Sequence, residues 1–243
     1  MKQRISIILL FTCLSGAYFF YDPYIADFYK RYETDLPWTR LDLSKPIGLS
    51  TLMKLVALRD DLNQCETLLE EAGIHYQRLP SRGGAECLAN DLIKTLPSEP
   101  LVSKLTPPNV APACSVVAAY VVWEQQIVQT AALEFFQQPV TGIEHYGSYN
   151  CRRMYGQASG RWSQHATGNA IDIAGFILKN GERISIKRDW KNAGQKSNFL
   201  KAIRDGACDV YATVLSPEYN AAHADHFHFD QAQRGKTGWG VCR

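Results

Sequence analysis

The chain has 243 residues, 26 Lys and Arg against 24 Asp and Glu, 46% hydrophobic residues and seven cysteines. That is enough for one good-sized domain with its own core, and it excludes wholesale disorder and collagen-like repeats. A net charge of +2, with no dense basic run carrying interleaved aromatics, excludes nucleic acid as a favoured partner.

At the N-terminus Lys2 and Arg4 precede an apolar run from Ile5 to Phe20. Residues 1–21 therefore read as a signal anchor or a signal peptide, oriented N-in and C-out by the leading basic residues. Ser15-Gly16-Ala17 would serve as a cleavage site, but Tyr18-Phe19-Phe20 directly after it favours an uncleaved anchor in an inner membrane. Cys13 belongs to this segment. The remaining six cysteines, Cys65, Cys87, Cys114, Cys151, Cys208 and Cys242, form an even set with no CxxC pair. In an exported domain that pattern reads as disulfides. Pairing of sequence neighbours would give Cys65–Cys87, Cys114–Cys151 and Cys208–Cys242.

Residues 22–48, punctuated by Pro23, Pro37 and Pro46, read as a linker or arm, and 49–243 as the folded domain. A helix is predicted over 50–72, from Leu52, Leu55, Leu62, Cys65 and Leu69, with Gly73 to stop it. A short strand at 74–79 and an irregular stretch over 80–112 follow, the latter with a short helix near 87–96. A long helix over 113–136 carries Val116, Tyr120, Trp123, Ile127 and Ala131 on one face. Strands are expected at 140–144, 170–178 and 183–186, the last two joined by the hairpin signal Asn180-Gly181. A helix near 196–207 and strands at 211–215 and 226–229 close the chain. The class is α+β: helices in the N-terminal half packed on a small, mainly antiparallel sheet, with a metal site on that sheet.

Histidine carries most of the functional information. His223, His226 and His228 fall within six positions, in His223-Ala224-Asp225-His226-Phe227-His228-Phe229-Asp230. On a strand His226 and His228 share one face while Phe227 and Phe229 enter the core. Two imidazoles aimed at one spot suit a divalent metal, zinc foremost. Upstream, His165 lies in a polar loop and Asp172 between Ile171 and Ile173. A carboxylate in that setting needs a partner, because burying an unpaired charge is expensive.

The stretch His165-Ala166-Thr167-Gly168-Asn169-Ala170-Ile171-Asp172, followed by an HxH near the C-terminus, resembles the zinc signature of the superfamily of D-Ala-D-Ala peptidases, murein endopeptidases and the hedgehog signalling domain. With Gly147-Ser148-Tyr149-Asn150-Cys151-Arg152 before it and Cys242-Arg243 at the end, the chain resembles more closely the bacterial extensin-like C-terminal domain family. The resemblance implies His165, Asp172 and His228 as ligands of Zn2+. It implies His226 as general base, with Asp225 as the alternative or as the group orienting an imidazole. A regular strand would turn Asp225 away, so its direct use would need a bulge. Arg152 is the expected clamp for a substrate carboxylate. The implied activity is amide hydrolysis in peptidoglycan stem peptides or cross-links, on the periplasmic side of the membrane. The competing readings are a non-catalytic wall-binding or scaffolding module that retains the fold and, from clustered histidines alone, a metal nuclease.

Overall fold

A computed structural model describes residues 23–234 and 240–243. Residues 1–21, read as an anchor, lie outside the described residues. Residues 23–32 are helical, and Leu41 and Leu43 further along the arm are buried in the core. The arm is therefore partly structured and partly packed.

The helix predicted over 50–72 is two helices. Helix α1 (Thr51–Ala57) runs into a 3₁₀ turn at Leu58–Asp60. Asp61 then caps α2 (Leu62–Glu71), its carboxylate accepting from the Gln64 N–H at 2.9 Å. An aspartate at that position restarts a helix by satisfying one of its open N–H groups. Strands β1 (Tyr76–Arg78) and β2 (Ile93–Thr95) pair antiparallel. The helix expected near 87–96 is absent: Ala85–Cys87 makes a single 3₁₀ turn, and the buried Ile93 is on β2. Strand β3 (Lys104–Thr106) follows.

The long helix is present. Its first part, α3 (Cys114–Trp123), is buried on every side, as its uniformly apolar sequence requires. A π-helical turn at Glu124–Val128 leads into α4 (Gln129–Phe136). Strands β4 (Val140–Gly147), β5 (Ala170–Leu178) and β6 (Arg183–Ser185) come next. A short helix α5 (Ile186–Asp189), helix α6 (Gln195–Ala207), and strands β7 (Thr213–Leu215), β8 (Phe227–Asp230) and β9 (Val241–Cys242) complete the order.

The main sheet has seven strands in the order β3-β4-β5-β8-β7-β9, with β6 also on β5. Strand β4 pairs along one edge of β5, and the other edge is divided: Ala170–Ile173 pairs with β8, Gly175–Ile177 with β6. One correction to the expected layout follows. Helices are not confined to the N-terminal half, since α5 and α6 lie beyond β6. The sheet is mainly antiparallel, with the outer pairs β3–β4 and β7–β9 parallel. Both β3 and β9 are too short to show a period in the sequence.

Helices α3, α4 and α6 cover one face of this sheet. Trp123 is the hub: its ring packs against Phe229 at 5.2 Å and Phe176 at 6.1 Å, and its Nε1–H donates to the Ile203 carbonyl of α6 at 2.9 Å. Ile171, Ile173, Phe227 and Phe229 fill the same layer. By the alternation of a strand, the residues between them point to the opposite face.

The disulfides are Cys65–Cys114, Cys87–Cys151 and Cys208–Cys242. The last matches the expected pair; the other two correct the neighbour pairing. Cys65 and Cys114 are both buried where α2 lies against α3, so they meet across helices. Cys87 instead reaches the loop carrying Cys151, where the Tyr149 hydroxyl also donates to the Cys87 carbonyl at 3.1 Å. Three disulfides mark an extracytoplasmic domain. No helix among the described residues is long and apolar enough to cross a membrane.

Non-reducing peptide mapping should recover these three pairs, and a Cys65–Cys87 peptide would contradict the packing of α2 on α3. Trp123→Ala should cost about 3–5 kcal/mol in urea unfolding, the usual range for deleting a buried aromatic.

Candidate metal centre

Antiparallel register puts Asp172 of β5 directly opposite His228 of β8. Their flanking pairs, Ile171 with Phe229 and Ile173 with Phe227, face the helices, so Asp172 and His228 face the other way together. The Asp172 Oδ1 lies 3.0 Å from His228 Nδ1.

His165 arrives from a different element, the 3₁₀ turn Gln164–Thr167. The Ser163 hydroxyl caps this turn by accepting from the His165 N–H. Gly168 ends it at φ +71°, where a side chain would be strained and its Cβ would run into Leu92. Backbone bonds fasten the turn to the loop before it: the Asn150 N–H donates to the His165 carbonyl at 2.8 Å, and the Ser163 N–H to the Arg152 carbonyl at 3.1 Å. The Ser148 hydroxyl reaches the Ala170 carbonyl at 2.6 Å. The result places His165 Nε2 3.1 Å from both Asp172 Oδ1 and His228 Nδ1. One donor atom from each of the three residues lies within 4.8 Å of the others.

Each imidazole is held by its far nitrogen. His165 Nδ1–H donates to the Ser148 carbonyl at 2.6 Å, leaving Nε2 as the inward donor atom. His228 Nε2–H donates to Asp230 Oδ2 at 3.0 Å, leaving Nδ1 inward. Asp230 is buried, and its other oxygen accepts from the Ala232 N–H at 2.9 Å. Carbonyl and carboxylate partners of this kind fix the tautomer and raise the basicity of a metal-ligating histidine. Two imidazoles and a carboxylate with inward lone pairs fit a divalent cation of the zinc type.

Asp172 and His228 are strongly coupled. Burial works against charge on Asp172, but hydrogen bonds from His165 and His228 overcome it and hold the carboxyl far below the usual range. Burial also opposes charge on His228; its bonds to Asp172 and Asp230 outweigh that and push it up to about 9.

His226 and Asp225 precede β8. His226 still faces the centre, with Nε2 3.6 Å from Asp172 Oδ1, and its Nδ1–H donates to Asp225 Oδ1 at 2.9 Å. Asp225 therefore meets the site through His226, without any bulge in the strand. The Tyr146 ring lies edge-on to His226 at 5.8 Å. His223, not among the expected ligands, packs 5.2 Å from the His226 ring, and its Nδ1–H donates to Asn220 Oδ1. Burial, with the neighbouring His228 and His226, brings it down to about 4. Arg152 lines the same cavity of about 480 Å³ as the His165–Asp172–His228 group, together with Arg161, Trp162, Tyr219 and Arg234. Asp230 is absent from the expected site, although its position two residues after His228 puts it on the same strand face. His223, which the sequence leaves as a residue able to line the site, does line the cavity, from a 3₁₀ turn.

Fold and site together define an α+β domain with an internal cluster suited to a divalent cation, closed by disulfides. A family model described as "Extensin-like protein C-terminus" matches residues 63–243, and the chain belongs to that family. No curated protein and no solved structure matches it significantly.

Asp230→Asn should weaken zinc affinity by about 10–100-fold, read by competition with a chromophoric chelator. Cation uptake must displace the proton on His228. A group raised from 6.5 to about 9 stabilises the metal-free fold below pH 6.5 and loses that effect as pH climbs towards 9. Zinc affinity should therefore rise across this window, by about tenfold per pH unit, levelling off near pH 9. Affinity that is flat between pH 6.5 and 8.5 would contradict the displacement.

Proposed function

We propose that this chain is a zinc-dependent peptidase of the bacterial cell envelope that hydrolyses amide bonds in peptidoglycan stem peptides or cross-links. The observation that carries the reading is the convergence of His165, Asp172 and His228 beside His226 and Arg152 in one open cavity. The likeness of the His165–Asp172 stretch and the C-terminal HxH to the zinc D-Ala-D-Ala peptidases adds to it. In this reading residues 1–21 hold the domain at the periplasmic face of the inner membrane.

His165, Asp172 and His228 would hold the cation. When bound, a zinc ion of this kind acts as a Lewis acid that makes water more acidic and polarises a peptide carbonyl. The chain's own residues do the rest. His226, with its Nδ1–H given to Asp225, keeps the Nε2 lone pair towards Asp172 and takes the proton of the attacking water. The same nitrogen returns that proton to the leaving amine, which cannot depart as an anion. Asp225 fixes the His226 tautomer and stabilises the imidazolium between the two transfers. Arg152 on the cavity wall holds a stem-peptide carboxylate through its planar pair of N–H groups.

The test is digestion of purified sacculi by the zinc-loaded protein, with products identified by mass spectrometry. Wild type should release muropeptides shortened or uncoupled at one amide bond. His165→Ala should lose zinc and cleavage together. His226→Ala should keep its zinc and lose about 10²–10⁴-fold in turnover, the usual contribution of a positioned acid–base group. Wild-type protein that carries stoichiometric zinc, binds sacculi and changes no muropeptide would overturn catalysis in favour of a wall-binding module.

A further inference from the structure

The helical residues 23–32 are all exposed. No side chain of this helical stretch is buried against the described domain. Its composition is also sided. At about 100° per residue, Tyr24, Ile25, Phe28, Tyr29 and Tyr32 fall within an arc of about 140°. Their exposures are 76%, 40%, 48%, 43% and 41%. Lys30 falls opposite this arc, while Asp27 and Arg31 flank it on the Tyr24 side, with Arg31 paired to Asp27 at 3.2 Å. Five large apolar side chains on one bare face of a domain that otherwise buries its core call for a covering surface.

The far end of the helix is fixed to the domain. The Lys45 ammonium donates to the Glu33 carboxylate at 2.6 Å, the Ser50 hydroxyl to the Thr34 carbonyl at 2.9 Å, and the Leu49 N–H to Asp35 Oδ1 at 2.8 Å. The aromatic face is thus presented from a fastened base. Upstream, the apolar run Ile5–Phe20 ends only two residues before the helical stretch. Three of the five side chains are tyrosines, whose rings are apolar and whose hydroxyls need water or headgroups, the combination enriched at membrane interfaces.

We infer that the aromatic face of residues 23–32 lies in the headgroup–acyl boundary of the bilayer, making this helix an interfacial brace between anchor and domain. The inference rests on residues 1–21 being a membrane segment, and it adds a second, surface contact with lipid. A lipid layer satisfies both the rings and the hydroxyls, while Lys30 stays in water.

The test uses the full-length chain with Cys13→Ser, reconstituted into liposomes of phosphatidylethanolamine and phosphatidylglycerol. Flotation after a carbonate wash reads the anchor. Spin labels on Phe28→Cys and on Lys30→Cys then read depth, through collision with oxygen and with a water-soluble nickel chelate. The expected result is a label at 28 open to oxygen and shielded from nickel, with the reverse at 30. Phe28→Ser combined with Tyr32→Ser should abolish amide-exchange protection of residues 23–32 in liposomes and leave that of β5 unchanged. Floated protein in which both positions collide equally with nickel would overturn the interfacial helix and leave the anchor standing. Failure to float would overturn both. Labels at 28 that broaden one another would show a second copy of the chain on this face, and would also overturn the inference.

Discussion

Asp172 stands in β5 between Ile171 and Ile173 and opposite His228 of β8, and the remainder of the site is built around that cross-strand pair. A carboxylate in such a strand is tolerable only with partners, since an isolated buried charge is very costly. The partners come from two directions. β8 supplies His228 by register, and the turn after Ser163 supplies His165 across the sheet edge. Trp123, Phe229 and Phe227 hold the register from behind, so the packing of the helical layer and the geometry of the polar face are one constraint.

The histidines at the centre share a local rule. His165 is tied at Nδ1 to the Ser148 carbonyl, His228 at Nε2 to Asp230, His226 at Nδ1 to Asp225 and His223 at Nδ1 to Asn220. In each case one ring nitrogen is committed to the scaffold. For the three rings beside Asp172, His165, His228 and His226, the other nitrogen points inward. The Cys87–Cys151 disulfide and the Ser148–Asn150 bonds brace the segment that carries both the His165 carbonyl partner and Arg152. That bracing connects the irregular region near Cys87 to the site, a link between segments 64 residues apart in sequence.

Much of this was legible because a strand has a period of two. Alternation in Ile171-Asp172-Ile173 and Phe227-His228-Phe229 announces which face is core and which is polar, and the strand bounds at 170–178 follow from it. The same rule would have named Asp230. The long helix was equally plain, since an apolar run of that length from Cys114 has to be buried. What the sequence does not encode locally is which layers meet. Cys65 pairs with Cys114 because α2 packs on α3, and Cys87 with Cys151 because two loops converge, and neither follows from spacing. Asp61 was a readable cap hidden inside an unbroken hydrophobic periodicity. The three residues of β3 and two of β9 are too short to carry any signal.

His165, Asp172 and His228 are arranged to hold one divalent cation together. Zinc-edge X-ray absorption on the metal-loaded protein, followed by anomalous diffraction at the same edge, tests it most directly. This arrangement requires ligation by nitrogen and oxygen alone, with two imidazoles, and a single anomalous peak between Asp172 and the rings of His165 and His228. Sulfur in the coordination shell, or a peak elsewhere in the domain, would contradict it.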